Sequence, residues 1–109
     1  MTKRKASKLT LKQLDSLIED AIVDASDESE QAVGFLTLME EHLALPFETT
    51  VLEQVVSVTQ IYVTRSNEIV VICVRGKAAQ AIPILSLPLP YPRPVGAEWI
   101  DAYRRWRGE

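Results

Sequence analysis

The feature that most constrains the fold is the break at Leu45-Pro46-Phe47, where one kind of periodicity stops and another begins. Before it, apolar residues recur every three or four positions, as on one face of a helix. Proline disfavours helical geometry in the residue that precedes it, so the helical pattern has to end there. After it the chain becomes rich in Val, Ile, Thr and Tyr, in short runs separated by turn formers, which is the composition of strands. A chain of 109 residues can build one core but not two, so both halves must pack on each other. The expectation is a single α+β domain over 10–109 behind a basic leader at 1–9. It divides into a helical part (10–45), strands (46–87), a proline strap (88–96) and a closing helix (97–107).

Within the helical part, Thr10 with Gln13 makes a capping box. Leu11, Leu14, Leu17, Ile18, Ala21 and Ile22 then recur at helical spacing, which predicts a helix over 11–24. Asp27 with Glu30 can cap a second helix over 28–43. Its expected buried positions are Val33, Leu36, Leu38, Met39 and Leu43, with Gly34 as a mild weakness. Beyond Pro46, runs at 49–52, 55–63, 68–75 and 79–84 predict antiparallel strands joined by tight turns at Arg65-Ser66-Asn67 and Arg75-Gly76-Lys77. Four such strands suggest a small meander or an SH3-like partial barrel. Pro88, Pro90, Pro92 and Pro94 alternate with other residues and favour a stiff extended strap. Trp99, Ile100, Tyr103 and Trp106 fall on one face of the last helix, which should dock by that face.

The charge pattern is lopsided. The net charge is −3, yet between Gln13 and Thr64 there is no Lys or Arg, and the same stretch holds Asp15, Glu19, Asp20, Asp24, Asp27, Glu28, Glu30, Glu40, Glu41, Glu48 and Glu53. A run of one sign creates a local negative potential that attracts cations and repels phosphate. Asp24, Asp27, Glu28, Glu30 and Gln31 crowd the junction of the two helices, where carbonyl groups are also free. That is the hard-oxygen chemistry calcium requires, with about six to eight ligands. An EF-hand is excluded: counted from Asp24, position six is Ser29 and position twelve is Phe35, and counted from Asp27 these positions are Ala32 and Leu38. Glu40 and Glu41, at the end of the second helix, could supplement the ion site or form another. On residues alone two readings stay open: a cation site, or a solvated surface whose acids cap the helix and complement its dipole.

Other functional classes find less support. No G-x-S-x-G, phosphate-cradling glycine loop or metalloprotease spacing is present, and no enzymatic activity is expected. Cys73 is the only cysteine and His42 the only histidine, too few for a zinc site. Cys73, between Ile72 and Val74, reads as a small buried hydrophobe. The apolar stretches are too short to span a bilayer, no secretory signal follows the basic start, and a cytoplasmic location is expected. Arg104, Arg105 and Arg107 beside Trp106 form too small a basic patch for nucleic acid. The rival to ion binding is a non-catalytic module whose barrel face or proline strap binds a protein partner.

These residues carry a resemblance. Glu19 to Ala25, Glu28, Glu30-Gln31, Gly34-Phe35, Met39 to Thr49, Gln80 to Leu85, Leu87 to Pro90 and Gly96 to Trp106 resemble the CcbP-type calcium-binding protein family. The strings E-E-H-L-A-L-P-F and G-A-E-W-I-D-A-Y-R-R-W are its most specific part. The resemblance implies a helical N-terminal part joined to a small barrel of strands, and calcium binding through acidic side chains without an EF-hand. The ligands expected are Asp24, Glu28, Glu30 and Glu40, supplemented by Asp27, Gln31 and Glu41. At the first hairpin, Glu53-Gln54 stands where a glycine would be expected, so a differently shaped turn is anticipated there.

Overall fold

The computed structural model describes residues 9–109; the leader expected at 1–9 lies outside the described residues apart from Leu9. Helix α1 (Leu11–Ile22) opens on the expected capping box: the Gln13 amide donates to Thr10 Oγ1 at 3.1 Å, and the Thr10 amide donates to Gln13 Oε1 at 2.9 Å. Helix α2 (Glu28–His42) starts at Asp27, whose Oδ1 accepts from the Glu30 amide at 2.9 Å. Each cap satisfies amides that a helix start otherwise leaves unpaired. Both helices end one or two residues before the expected boundary, α1 at a turn in which Asp24 takes a positive φ of 66°.

Four strands follow: β1 (Phe47–Val51), β2 (Gln54–Val63), β3 (Ile69–Arg75) and β4 (Ala78–Pro83). They form one antiparallel sheet in the order β1-β2-β3-β4, an open meander compatible with a partial barrel. In β2 the register slips between Val58 and Gln60, which leaves Thr59 as an extra residue and bends the strand. The β1–β2 loop is the two-residue Leu52-Glu53 turn, with Val51 facing Gln54. Two-residue hairpins favour positive φ at their central positions, and here Leu52 and Glu53 adopt φ of 50° and 66° without glycine. The altered turn anticipated from Glu53-Gln54 is therefore a non-glycine version of the compact hairpin. At β3–β4 the same demand is met by Gly76, with φ of 60°.

After β4 a short 3₁₀ turn (Ile84–Ser86) drops Ile84 and Leu87 into the core. The proline strap then runs to helix α3 (Glu98–Arg107). Three hydrogen bonds hold the strap: Thr49 Oγ1 donates to the Pro88 carbonyl at 2.6 Å, the Ala44 amide donates to the Val95 carbonyl at 2.9 Å, and Arg93 Nη2 donates to Asp101 Oδ1 at 2.7 Å.

The core gathers one face of the sheet (Val58, Ile61, Ile69, Val71, Cys73) against Phe35, Met39, Leu43, Trp99, Ile100 and Tyr103 from the helices. Phe35 sits 5.7 Å from Tyr103 and 5.1 Å from Trp106, ring centre to ring centre, so the aromatic face of α3 docks as expected. The Tyr103 hydroxyl accepts the Ile69 amide at 2.9 Å, tying α3 to the start of β3. Burial holds the Tyr103 phenol above its ordinary pKa, and likewise the Cys73 thiol.

One expectation for α2 needs correction. Val33 is 46% exposed, while Ala32 and Phe35 are fully buried. The reason is Gly34: a Cβ there would lie 2.0 Å from the Ala21 carbonyl oxygen. The glycine lets α1 and α2 touch backbone to backbone, which rotates Ala32 and Phe35 inward. Gly34 is thus a close-approach residue rather than a mild weakness.

Candidate metal site

The α1–α2 junction is a surface break whose main chain follows from its residues. Asp24 turns the chain with a positive φ, a conformation that Asp tolerates better than most residues. Asp27 then restarts it as a helix cap. Glu30, one turn in, reaches back: its Oε1 accepts from the Ser26 amide and the Ser26 hydroxyl, both at 2.7 Å. These bonds, the amide first, hold the Glu30 carboxyl below its ordinary pKa. Gln31 points the other way, and its Oε1 accepts the Trp106 indole N–H at 3.0 Å.

The seven residues expected as ligands are therefore in different states. Asp24 and Glu28 are exposed and make no hydrogen bond among the described residues, so both carboxylates are free. Asp27 and Glu30 each commit one oxygen to the local turn and keep one. The amide oxygen of Gln31 is occupied by Trp106. Glu40 and Glu41 lie near the far end of α2, and Glu28 and Glu40 are separated by roughly 18 Å of helix rise. They cannot share one ion within a single chain. Glu40 instead borders a shallow hollow with Leu43, Leu45, Gln60 and Ile61. Glu41 approaches His42 Nε2 at 3.9 Å, and His42 stacks on Trp99 with ring centres 5.4 Å apart.

The donor chemistry suits calcium, but the side chains as they stand do not form a cage: among the described residues no three His, Cys, Asp or Glu groups are gathered closely enough to hold a metal ion. Four carboxylates fall within seven residues at the junction. Exposed side chains change rotamer in picoseconds to nanoseconds, and gathering these four works against their mutual repulsion.

Residues far away along the chain complete the surroundings. Arg105 grips Asp15 through Nε to Oδ1 at 2.7 Å and Nη2 to Oδ2 at 3.4 Å. The guanidinium holds the Asp15 carboxyl below its ordinary pKa, and the pair raises that of Arg105. Arg107 and Trp106 line a shallow polar hollow with Glu28, Gln31 and Ser66. The basic end of α3 thus offsets in space part of an acidic run that is uninterrupted in sequence. No local signal marks these partners, because 75 residues separate Gln31 from Trp106.

Among the described residues, no helix is long and apolar enough to cross a membrane. A family model described as calcium binding, that of the CcbP type, matches residues 15–106, most of the chain. Comparisons with curated proteins and with solved structures found no match.

Proposed function

Because this chain belongs to the CcbP-type family of calcium-binding proteins, we propose that it takes up calcium at the α1–α2 junction through exposed carboxylates, with Asp24 and Glu28 as the leading ligands. Glu30 and Asp27 supplement them with their uncommitted oxygens, and Gln31 would join only by releasing Trp106. Glu40 and Glu41 belong to a separate, weaker locus. The observation that carries the reading is a stretch matched by a calcium-binding family in which eleven acids occur without an intervening Lys or Arg.

The role proposed is that of a modest-affinity buffer. A sensor couples the ion to a bistable element that opens a groove, whereas these ligands lie on a surface break. Ungathered ligands also imply weak binding, because affinity falls with the cost of assembling the site. Binding the native state alone stabilises it by mass action: calcium at ten times its dissociation constant adds about 1.4 kcal/mol.

Calorimetric titration of calcium into the metal-free chain tests the proposal, with the double variant Asp24→Asn/Glu28→Gln alongside. These two positions are chosen because neither caps a helix, whereas replacing Asp27 would weaken α2 directly. The wild type should give a saturable heat that the variant loses. Equal heats from both proteins would remove the site assignment, and absence of heat from the wild type up to millimolar calcium would remove calcium buffering altogether.

A further inference from the structure

The two edges of the sheet are treated differently. Along β1 the strap lies close, with Pro88, Leu89 and Pro90 facing Glu48, Thr49 and Thr50 across a narrow hollow, and Thr49 bonded to the Pro88 carbonyl. Both the cover and the charge of Glu48 guard that edge, as natural edge strands usually require. The opposite edge, β4, has neither. Ala78, Ala79, Gln80 and Ala81 are all exposed, and no charged residue occurs from Ala78 to Leu85. Among the described residues, no backbone hydrogen bond other than the β3 pairing involves this strand. The row of peptide groups facing away from β3 is a template for another strand.

We infer that β4 is a self-association edge, pairing antiparallel with β4 of a second copy of this chain about a two-fold axis at Gln80 to join two four-stranded sheets into one of eight. The charge distribution favours a second copy over a foreign strand. The chain carries net charge −3, so two copies repel wherever acidic surface meets acidic surface. The acids crowd α1, α2 and the β1–β2 hairpin, while β4 and the facing run Ile69–Val74 are neutral. Pairing about Gln80 sets Ala79 against Ala81, small side chains on one face, and Gln80 against itself, where two amides can hydrogen bond. It also sets Lys77, in the β3–β4 turn, opposite Pro83 of the other copy, at the end where Glu68 precedes β3. An isologous contact repeats that complementarity twice. A strand of six residues provides far less than the ~800 Å² per partner of a standard interface, so the dimer is weak and forms at high protein concentration.

Sedimentation equilibrium in the presence of a chelator, over a hundredfold concentration range, measures this without any contribution from metal bridging. The expected result is a concentration-dependent dimer whose dissociation constant rises at least tenfold in Ala79→Lys/Ala81→Lys, a change on an exposed edge. A second reading does not depend on that variant folding: Gln80→Cys should form an intermolecular disulfide at least tenfold faster than Leu52→Cys, placed on the exposed β1–β2 turn. A wild type that remains monomeric throughout, a dimer seen only with calcium, a dimer unaffected by the lysines, or equal cross-linking at 80 and 52 would each overturn the proposal.

Discussion

Replacing Gly34 by alanine sets two effects of opposite sign against each other. Alanine in a helix interior gains about 1 kcal/mol over glycine from backbone entropy, and on that ground alone the variant should be more stable. The new Cβ, however, would lie 2.0 Å from the Ala21 carbonyl oxygen and 3.1 Å from its carbon. Carbon and oxygen require more than 3 Å, so α1 would have to retreat by over 1 Å along its contact with α2. The obstacle is backbone, which cannot rotate aside as a side chain would. Overpacking of this kind costs about 1–3 kcal/mol, and loosening Leu14, Leu17 and Ile18 against the core places this case at the upper end. The net expectation is a loss of about 1–2 kcal/mol, which lowers Tm by roughly 5–12 °C in a domain of this size. Thermal unfolding followed by circular dichroism reads it directly. A Tm equal to or above that of the wild type would refute the claim that α1 and α2 are held backbone to backbone.

Three further expectations rest on single contacts. Tyr103→Phe leaves the buried Ile69 amide without its acceptor and should cost about 1–3 kcal/mol in urea unfolding; an unchanged midpoint would mean that this bond is replaced. Leu52→Asn/Glu53→Gly relieves two non-glycine residues from positive φ and should stabilise by about 1 kcal/mol, whereas destabilisation would contradict the turn geometry. The carboxyls of Asp15 and Glu30 are held below their ordinary pKa by Arg105 and Ser26. Their contribution is therefore present above the ordinary carboxylate range, about pH 4, and is lost as pH falls through the lowered values. Stability measured from pH 6 down to 2.5 should decline more steeply in the wild type than in Asp15→Asn; parallel curves would dismiss the Arg105 pairing.

The α+β character was legible because Pro46 separates two periodicities, and the helix starts because Thr10-Gln13 and Asp27-Glu30 are local chemical signals. Strand order followed from short connections between runs of β-branched residues. The buried face of α2 was misread at Val33, since apolar residues surround that helix on several sides and the deciding contact, Gly34 on Ala21, is tertiary. At the first hairpin the missing glycine was legible, but the compact geometry of the Leu52-Glu53 turn was not, because neither residue type advertises the positive φ both adopt. At the candidate site the residue types were legible and their directions were not. Nothing within the junction announces that Trp106 takes the Gln31 oxygen, that Arg105 takes Asp15, or that Glu40 stands most of a helix length away from Glu28.

Where calcium binds is settled most directly by following backbone amide resonances of the metal-free protein while the ion is added. Saturable shifts concentrated at residues 24–31, with little change at 40–43, are the predicted result. Shifts centred on Glu40 and Glu41 instead, or none at millimolar calcium, would contradict binding at the helical junction.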